Sequence, residues 1–514
     1  MEMRVSTDGG DTWNHAHFPV EIKVKRDLAL AELETTELGY QILDASEGSV
    51  FINVDNDNAD GKGLHTGNLY TSDSSGTSYS LSLTDNLYLQ SLRNDFHKVA
   101  SIVGTYITNQ LVIEEGTYMQ EFRTVITFNK GGEWRPIIAP TVDSDGADVG
   151  CDECYLQLHN YVSQATMGLQ PIFSLENAAG LVIAHGTIGR YLSTNAQTSL
   201  FLSRDGGFTW TMILDGAYTF AVADHGGLLV AIPVGKKQNS ILFSWDMGRS
   251  WESFQFTDVP ITIVRVLAKP GFQTRVFNIW GNDAGGHWTI TTLDFTEYLG
   301  RPCLDADYTS WSPSDGRISN QRCVLGHKRV YKRRKNTAKC FNDVDYELET
   351  SNTSCPCTKE DFECDYGYFR PNIDQHCVEY ASFNMSTVAP CSNGEEEYVQ
   401  SSGYRRVPGD SCSGGVENQY ISSMLVSCES DKSTPLAAIV VPVVLAILAV
   451  ALVAVVAYVY NRKKNYWRAR YLALAQQDHD DDIQHTGLDS ESDEDSEDDE
   501  LEVADLADPS KDMH

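Results

Sequence analysis

The chain has 514 residues, room for several domains, and a formal net charge of −33 that excludes the basic face nucleic-acid binding needs. The charge is uneven, because seventeen acids and one lysine fall between Asp478 and His514. Ten of the twelve cysteines crowd between Cys303 and Cys428, which points to a disulfide scaffold built in an oxidising compartment.

The first element is a turn motif, Ser6-Thr7-Asp8-Gly9-Gly10-Asp11-Thr12-Trp13, with the pattern S/T-x-D-x-G-x-T/S-W of an Asp box. An Asp or Asn at the third position can bond the backbone beyond it and close the turn. Gly at the fifth position allows positive φ. The aromatic at the eighth position starts the returning strand and can wedge between sheets. Weak copies run from Ser72 to Tyr79 and from Gly281 to Trp288. A looser copy spans Thr127 to Trp134, with Asn129 at the third position. Full copies are Ser203 to Trp210, with Asp205, and Ser244 to Trp251, with Asp246. Short β-rich runs bounded by glycines surround them. A repeated turn of this kind predicts a mainly β chain whose first 298 residues form a partial Asp-box β-propeller of five or six blades. The boxes are expected to be scaffold, not catalytic groups.

Between the boxes, Asp55 to Gly61 imitates a calcium loop, but its glycine is displaced by one and Thr66 stands where a glutamate is needed. Cys151 and Cys154 are expected to pair. The module over 299–430 is expected to oxidise all ten of its cysteines: Cys303, Cys323, Cys340, Cys355, Cys357, Cys364, Cys377, Cys391, Cys412 and Cys428. Zinc is not expected, for lack of a second pair at finger spacing. No cofactor is implied. The module holds two glycosylation sequons, Asn352 and Asn384. It also holds a basic run from Lys328 to Lys335, read mainly as a solvated face, with polyanion binding as the alternative. Gly409 to Gly414 imitates a serine-protease loop, but Cys412 replaces the glycine and no His-bearing motif lies upstream in the usual order.

Leu436 to Val459 is an uncharged run of membrane-spanning length, followed by Arg462, Lys463 and Lys464. This predicts a transmembrane helix over 436–460 with the cysteines outside and 461–514 in the cytosol. In that tail, Tyr471 and Leu474 have the spacing of a clathrin-adaptor signal. Ser490, Ser492 and Ser496 sit in a disordered acidic stretch as candidate phosphorylation sites. No apolar leader precedes the first box, and that box opens inside a blade. The N-terminal part of the natural protein is therefore expected to be missing.

The boxes, Gly180 to Gly186 and above all Glu360 to Tyr368 with Gly403 to Asp410 resemble the sortilin and vacuolar protein sorting receptor family. The resemblance implies a ten-bladed propeller whose tunnel binds lumenal peptide or protein cargo, braced by cysteine-rich modules. It also implies a type I receptor moving between Golgi, endosomes and lysosome, vacuole or cell surface, and not an enzyme. The family's cargo-gripping arginine aligns on Met1. Of the neighbouring cargo segment, Tyr40 and Ile42 are retained. Tyr466 to Tyr471 resembles the family's retromer-binding hexamer, whereas Asp499 to Val503 lacks the paired leucines that bind monomeric adaptors. The alternatives are a sialidase-like Asp-box glycoside hydrolase and a cell-surface peptide co-receptor.

Overall fold

The computed structural model describes residues 3–19, 40–55, 64–89, 93–113, 120–162, 168–270, 274–315, 323–342, 349–371, 376–380, 397–421, 424–427 and 436–475. The chain divides into two units, Met1–Cys428 and Glu429–His514.

The first unit is almost wholly β. A two-stranded hairpin, Arg4–Val5 with Asn14–His15, carries the first box. A nine-stranded sheet follows, and its two halves meet through the single pair Asn86 with Gln110. The first half, sheet 1, orders Tyr40–Asp44, Phe51–Asp55, Leu64–Ser72 and Tyr79–Leu89. The second half, sheet 2, is built on Tyr106–Ile113, Gln120–Thr127 and Arg135–Pro136, with His97–Lys98 on its inner edge. Sheet 3 has five strands, with Val182–Gly189, Ser199–Ser203 and Thr211–Leu214 as its body. Sheet 4 orders Tyr218–Ala223, Leu228–Pro233, Ser240–Ser244 and Glu252–Gln255. Sheet 5 orders Lys237–Gln238, Ile261–Ala268, Val276–Asn282 and Trp288–Asp294.

Strand alternation explains how these sheets stack. In sheet 4, Leu228, Val230 and Ile232 join Ile241 and Phe243 in a core shared with Val266, Phe277 and Ile279 of sheet 5. Leu229 and Ala231 point the other way and pack with Leu200 and Leu202 of sheet 3. Further cores of the same kind lie between sheets 2 and 3 and between sheets 1 and 2. The mainly β expectation holds. No closed propeller is present among the described residues.

The cysteine-rich segment adds the three strands Tyr308–Trp311, His327–Arg334 and Glu349–Ser354, then three two-stranded sheets. In the second unit, Leu436–Ala475 is one α-helix of 40 residues. Its apolar stretch is long enough to cross a membrane. The helix runs on past the expected end at 460, because Arg462 to Ala475 is rich in Arg, Lys, Leu and Ala and holds no Gly or Pro to stop it.

Candidate cargo cavity and its supports

Every box, full or weak, links the third and fourth strands of a sheet or the two strands of the first hairpin. In the full boxes the side chains interlock. Ser203 Oγ donates to Asp205 Oδ1 at 2.8 Å and accepts the N–H of Gly207 at 2.7 Å. Asp205 also accepts the N–H of Thr209 at 2.8 Å. The same reciprocal set holds Ser6 with Asp8, Thr127 with Asn129, and Ser244 with Asp246. Bonds from Thr12 hold the Asp8 carboxyl well below its usual range. Trp134 and Trp210 are buried and Trp251 packs in the core between sheets 3 and 4, as the wedge reading expects, but Trp13 is 58% exposed.

The weak copies use a different, shorter turn. In the first, Asp73, not Ser74, accepts the N–H of Thr77, at 2.9 Å, and its carbonyl accepts the N–H of Gly76. Asp283 does the same with His287 and Gly286. Both hairpins lack the hydroxyl-to-carboxylate relay from the first position, so pattern matching set the first copy one residue out of register.

At the inner strands, five sheets converge on one cavity of about 790 Å³. Sheet 1 contributes Gln41, Ile42 and Leu43, and Phe96 stands beside sheet 2. The loop Gly168 to Pro171 comes from the sheet 3 region. Tyr218, Thr219 and Val234 come from sheet 4, and Ile263 to Arg265 from sheet 5. Of the two expected cargo residues, Ile42 lines the cavity; Tyr40 is exposed on the same strand and does not. Arg265 is the one charged side chain among the lining residues. Gln170 fixes the lining loop to sheet 4: its carboxamide accepts the N–H of Phe220 at 2.7 Å and donates to the Phe220 carbonyl at 3.1 Å. Behind it, His185 Nε2 accepts the N–H of Tyr218 at 3.2 Å. Burial pushes His185, and its neighbour His159, down to about 4.

The support behind the inner strands is polar. Asn109 donates to Asp95 at 2.8 Å and accepts from Thr124 at 2.6 Å, while Asp95 also takes the N–H of Val162. Burial pushes Asp95 up to about 6. Sequence reasoning missed this ladder, because Asn and Thr at alternate strand positions read as solvent-facing.

The cysteine module grips the box hairpins. Arg333 stacks over Trp311, 3.4 Å from the ring centre, and donates to the Arg204 carbonyl at 2.8 Å. Gly180 is required there, since a Cβ would lie 2.6 Å from Trp311 and its φ is +77°. Arg334 is buried against Asp224 at 2.9 Å and also reaches the carbonyls of Cys340, Gly227 and Trp245. Arg405 pairs with buried Glu363 at 2.8 Å and donates to the carbonyls of Ser78 and Thr71. Lys130 reaches the Pro408 carbonyl at 2.8 Å. This corrects the reading of the basic run as a solvated or polyanion-binding face: its two central arginines are internal clamps.

The disulfides join Cys151 to Cys154, Cys303 to Cys340, Cys323 to Cys355, Cys357 to Cys412, and Cys364 to Cys377. Cys391, Cys428, Asn384, Ser490, Ser492, Ser496 and most of the calcium-like loop lie outside the described residues. Asn352 is exposed on its strand. Tyr471 and Leu474 fall within the last turns of the long helix. A histidine does stand upstream of Ser411: His327 Nε2 contacts its hydroxyl. However, His327 Nδ1 meets no acceptor or donor, so the pair lacks the orienting carboxylate of a catalytic triad.

A family model described as "Sortilin, neurotensin receptor 3" matches residues 1–266, and its C-terminal counterpart matches residues 268–428. The sortilin-related receptor of Oryctolagus cuniculus is 37% identical over 76% of this chain and 18% of its own length. The sortilin of Mus musculus is 34% identical over 84% of this chain and 51% of its own. The vacuolar protein sorting/targeting protein 10 of Coccidioides posadasii is 31% identical over 81% of this chain and 29% of its own. The chain thus spans about half the length of the sortilin and less of the other two. Among solved structures, the α-L-arabinofuranosidase of Fusarium graminearum is 15% identical over 58% of this chain and 85% of its own, with a TM-score of 0.25, a likeness too small to carry an argument. By the two family models and these relatives, the chain belongs to the sortilin–Vps10 family.

Proposed function

We propose that this chain is a single-pass type I sorting receptor that takes lumenal peptide or protein cargo in the cavity lined by Ile42 and Arg265. Residues 1–298 would be the partial propeller, 299–430 its disulfide-rich brace, 436–460 the membrane span and 461–514 the sorting tail. The carrying observation is the cavity itself: walls that mix apolar with polar side chains, where strands and loops of several sheets meet, in a chain of this family. Its walls suit a peptide, with apolar side chains against Ile42, Leu43 and Phe96, backbone groups against Gln41, Asn94 and Gln170, and one anionic group for Arg265. A hydrolase acting on sialosides would need an arginine cluster and a Tyr–Glu pair, and the lining residues offer one arginine and no carboxylate.

The tail would engage clathrin adaptors and retromer and route the protein through the trans-Golgi network, endosomes and cell surface. Tyr471 and Leu474 lie three residues apart on a helix, whereas an adaptor pocket reads this spacing from an extended peptide. Binding would therefore unwind the end of the helix. The test of the cavity is cross-linking of lumenal peptides to the wild type and to Ile42→Arg. Loss of labelling in the variant supports the reading. Equal labelling, or labels mapping away from the inner strands, refutes it.

A further inference from the structure

The helix Leu436–Ala475 is longer than a bilayer requires. At about 1.5 Å per residue it measures about 60 Å, twice a hydrocarbon core of about 30 Å. Its uncharged run, Leu436 to Val459, is itself about 36 Å long, and a run longer than the core fits by tilting. A tilted helix that continues beyond the core leans one face toward the headgroups. Basic and aromatic residues at the interface decide which face that is.

Residues 461–475 carry such a face. Arg462, Lys463, Lys464, Arg468 and Arg470 fall in this segment, and no Asp or Glu occurs from Leu436 to Gln477 to pair with them along the helix. Arg462, Lys463, Lys464 and Arg468 are exposed. Helical spacing sets Lys463, Trp467, Tyr471 and Leu474 along one side, each three or four residues from the last, with Lys464 and Arg470 flanking them. Cations that reach phosphates, beside an indole, a phenol and a leucine that enter the acyl boundary, are the composition of a helix that lies against a lipid surface.

The pattern runs further than topology needs. Arg462, Lys463 and Lys464 would orient the span by themselves. Arg468 and Arg470 lie about 6 Å and about 9 Å farther along the axis than Lys464, within a Debye length of about 10 Å. All five cations are therefore attracted to an anionic leaflet at once.

We propose that residues 461–475 bind the anionic lipid headgroups of the cytosolic leaflet through this face, and that lipid binding withholds Tyr471 and Leu474 from adaptors. The inference rests on the single-pass topology and the tail signal proposed above. The two residues cannot serve both partners together. On the helix they belong to the strip that meets the leaflet, whereas an adaptor takes them from an extended peptide. The signal is therefore read only after the segment has left the leaflet and unwound.

The test follows amide hydrogen exchange of the full chain in nanodiscs of phosphatidylcholine, with and without phosphatidylserine. Amides of 461–475 are expected to exchange about tenfold more slowly where phosphatidylserine is present. Salt of about 1 M, which shortens the Debye length to about 3 Å, is expected to remove the difference. The variant Lys463→Gln, Lys464→Gln, Arg468→Gln and Arg470→Gln is expected to lose most of it while 444–460 stays as protected as in the wild type, which shows that the span is still inserted. Equal exchange in both lipids overturns the inference, whether the segment is open in both or covered in both by the acidic residues 478–514. In cells, uptake of the full chain is expected to rise severalfold with the four substitutions, and not to rise when Tyr471→Ala is added. Unchanged uptake in the fourfold variant overturns the withholding. Failure of the sorting reading has a different signature: Tyr471→Ala alone leaves uptake intact while the lipid dependence of exchange remains.

Discussion

Replacing Arg334 with Met tests whether the basic run is a clamp. Arg334 and Asp224 are 7% and 0% exposed, and their contact is 2.9 Å. Methionine fills much of the volume but leaves the Asp224 carboxyl, which burial already pushes up to about 7, with the N–H of Asn342 and the more distant charge of Arg275. Removing one partner of a buried pair costs about 3–5 kcal/mol. A loss of about 4 kcal/mol lowers the folded-to-unfolded ratio roughly a thousandfold. That is about a quarter or more of a stability on the order of 5–15 kcal/mol. Guanidinium unfolding followed by tryptophan fluorescence should show the midpoint fall sharply for Arg334→Met. Lys328→Ala, on the exposed side of the same run, should leave it unchanged. Adding Asp224→Asn to Arg334→Met removes the stranded charge and should recover about half the loss. A loss under about 1 kcal/mol, or a double variant no better than the single one, would refute the clamp.

Acidification should remove the stability that two buried, neutral histidines contribute. His159 and His185, both buried, are pushed down to about 4 from an ordinary 6.5, so their contribution to stability is lost as pH falls from 6.5 toward 4. At pH 5 each costs roughly 2 kcal/mol relative to neutral pH. Asp95, pushed up to about 6, Asp224, pushed up to about 7, and Asp410, pushed up to about 8, work in the opposite sense, so the histidine contribution is read by difference. Thermal scans at pH 7 and pH 5 of the wild type and of His185→Gln isolate it: the midpoint of the variant should move less unfavourably on acidification than that of the wild type, and an equal or larger loss in the variant rejects it. Peptide mapping under non-reducing conditions should join Cys391 to Cys428, the two cysteines left by the five observed bridges; a free thiol at either would contradict this. Tyr471→Ala on a reporter bearing residues 461–514 should slow uptake about thirtyfold in adaptor affinity terms, the loss of an aromatic anchor of about 2 kcal/mol. Unchanged uptake, with loss on changing Ser490, Ser492 and Ser496, would assign the signal to the acidic segment.

The three full boxes and the looser copy at Thr127 were legible because each carries its own partners within eight residues: a hydroxyl, a carboxylate or amide, and a returning aromatic. The cysteine module was legible by count, but its pairing was not, since separations of 13 to 55 residues carry no local mark. The two weak boxes were legible as hairpins and misaligned within them, because Asp73 and Ser74 are both competent turn residues and only the loop length decides between them. The clamp was misread for a different reason. Arg333 and Arg334 look solvated in a run of cations, and the groups that desolvate them, Arg204 and Asp224, lie more than a hundred residues upstream. The cavity was half legible: Ile42 came from the resemblance, whereas Arg265, on the fifth sheet, had no motif around it.

The separation between Asp224 and its partners also sets an order of events in time. Asn342 follows Asp224 by 118 residues. At ribosomal rates of about 5–20 residues per second, Arg334 and Asn342 reach Asp224 about 6–24 seconds after it emerges. During that interval sheet 4 has its apolar strands in place and its central carboxylate still open to water. The nascent sheet therefore stays hydrated at its base until the cysteine segment arrives. The buried Asp224 site is therefore completed by translation of the cysteine segment, not by collapse of the sheets that precede it.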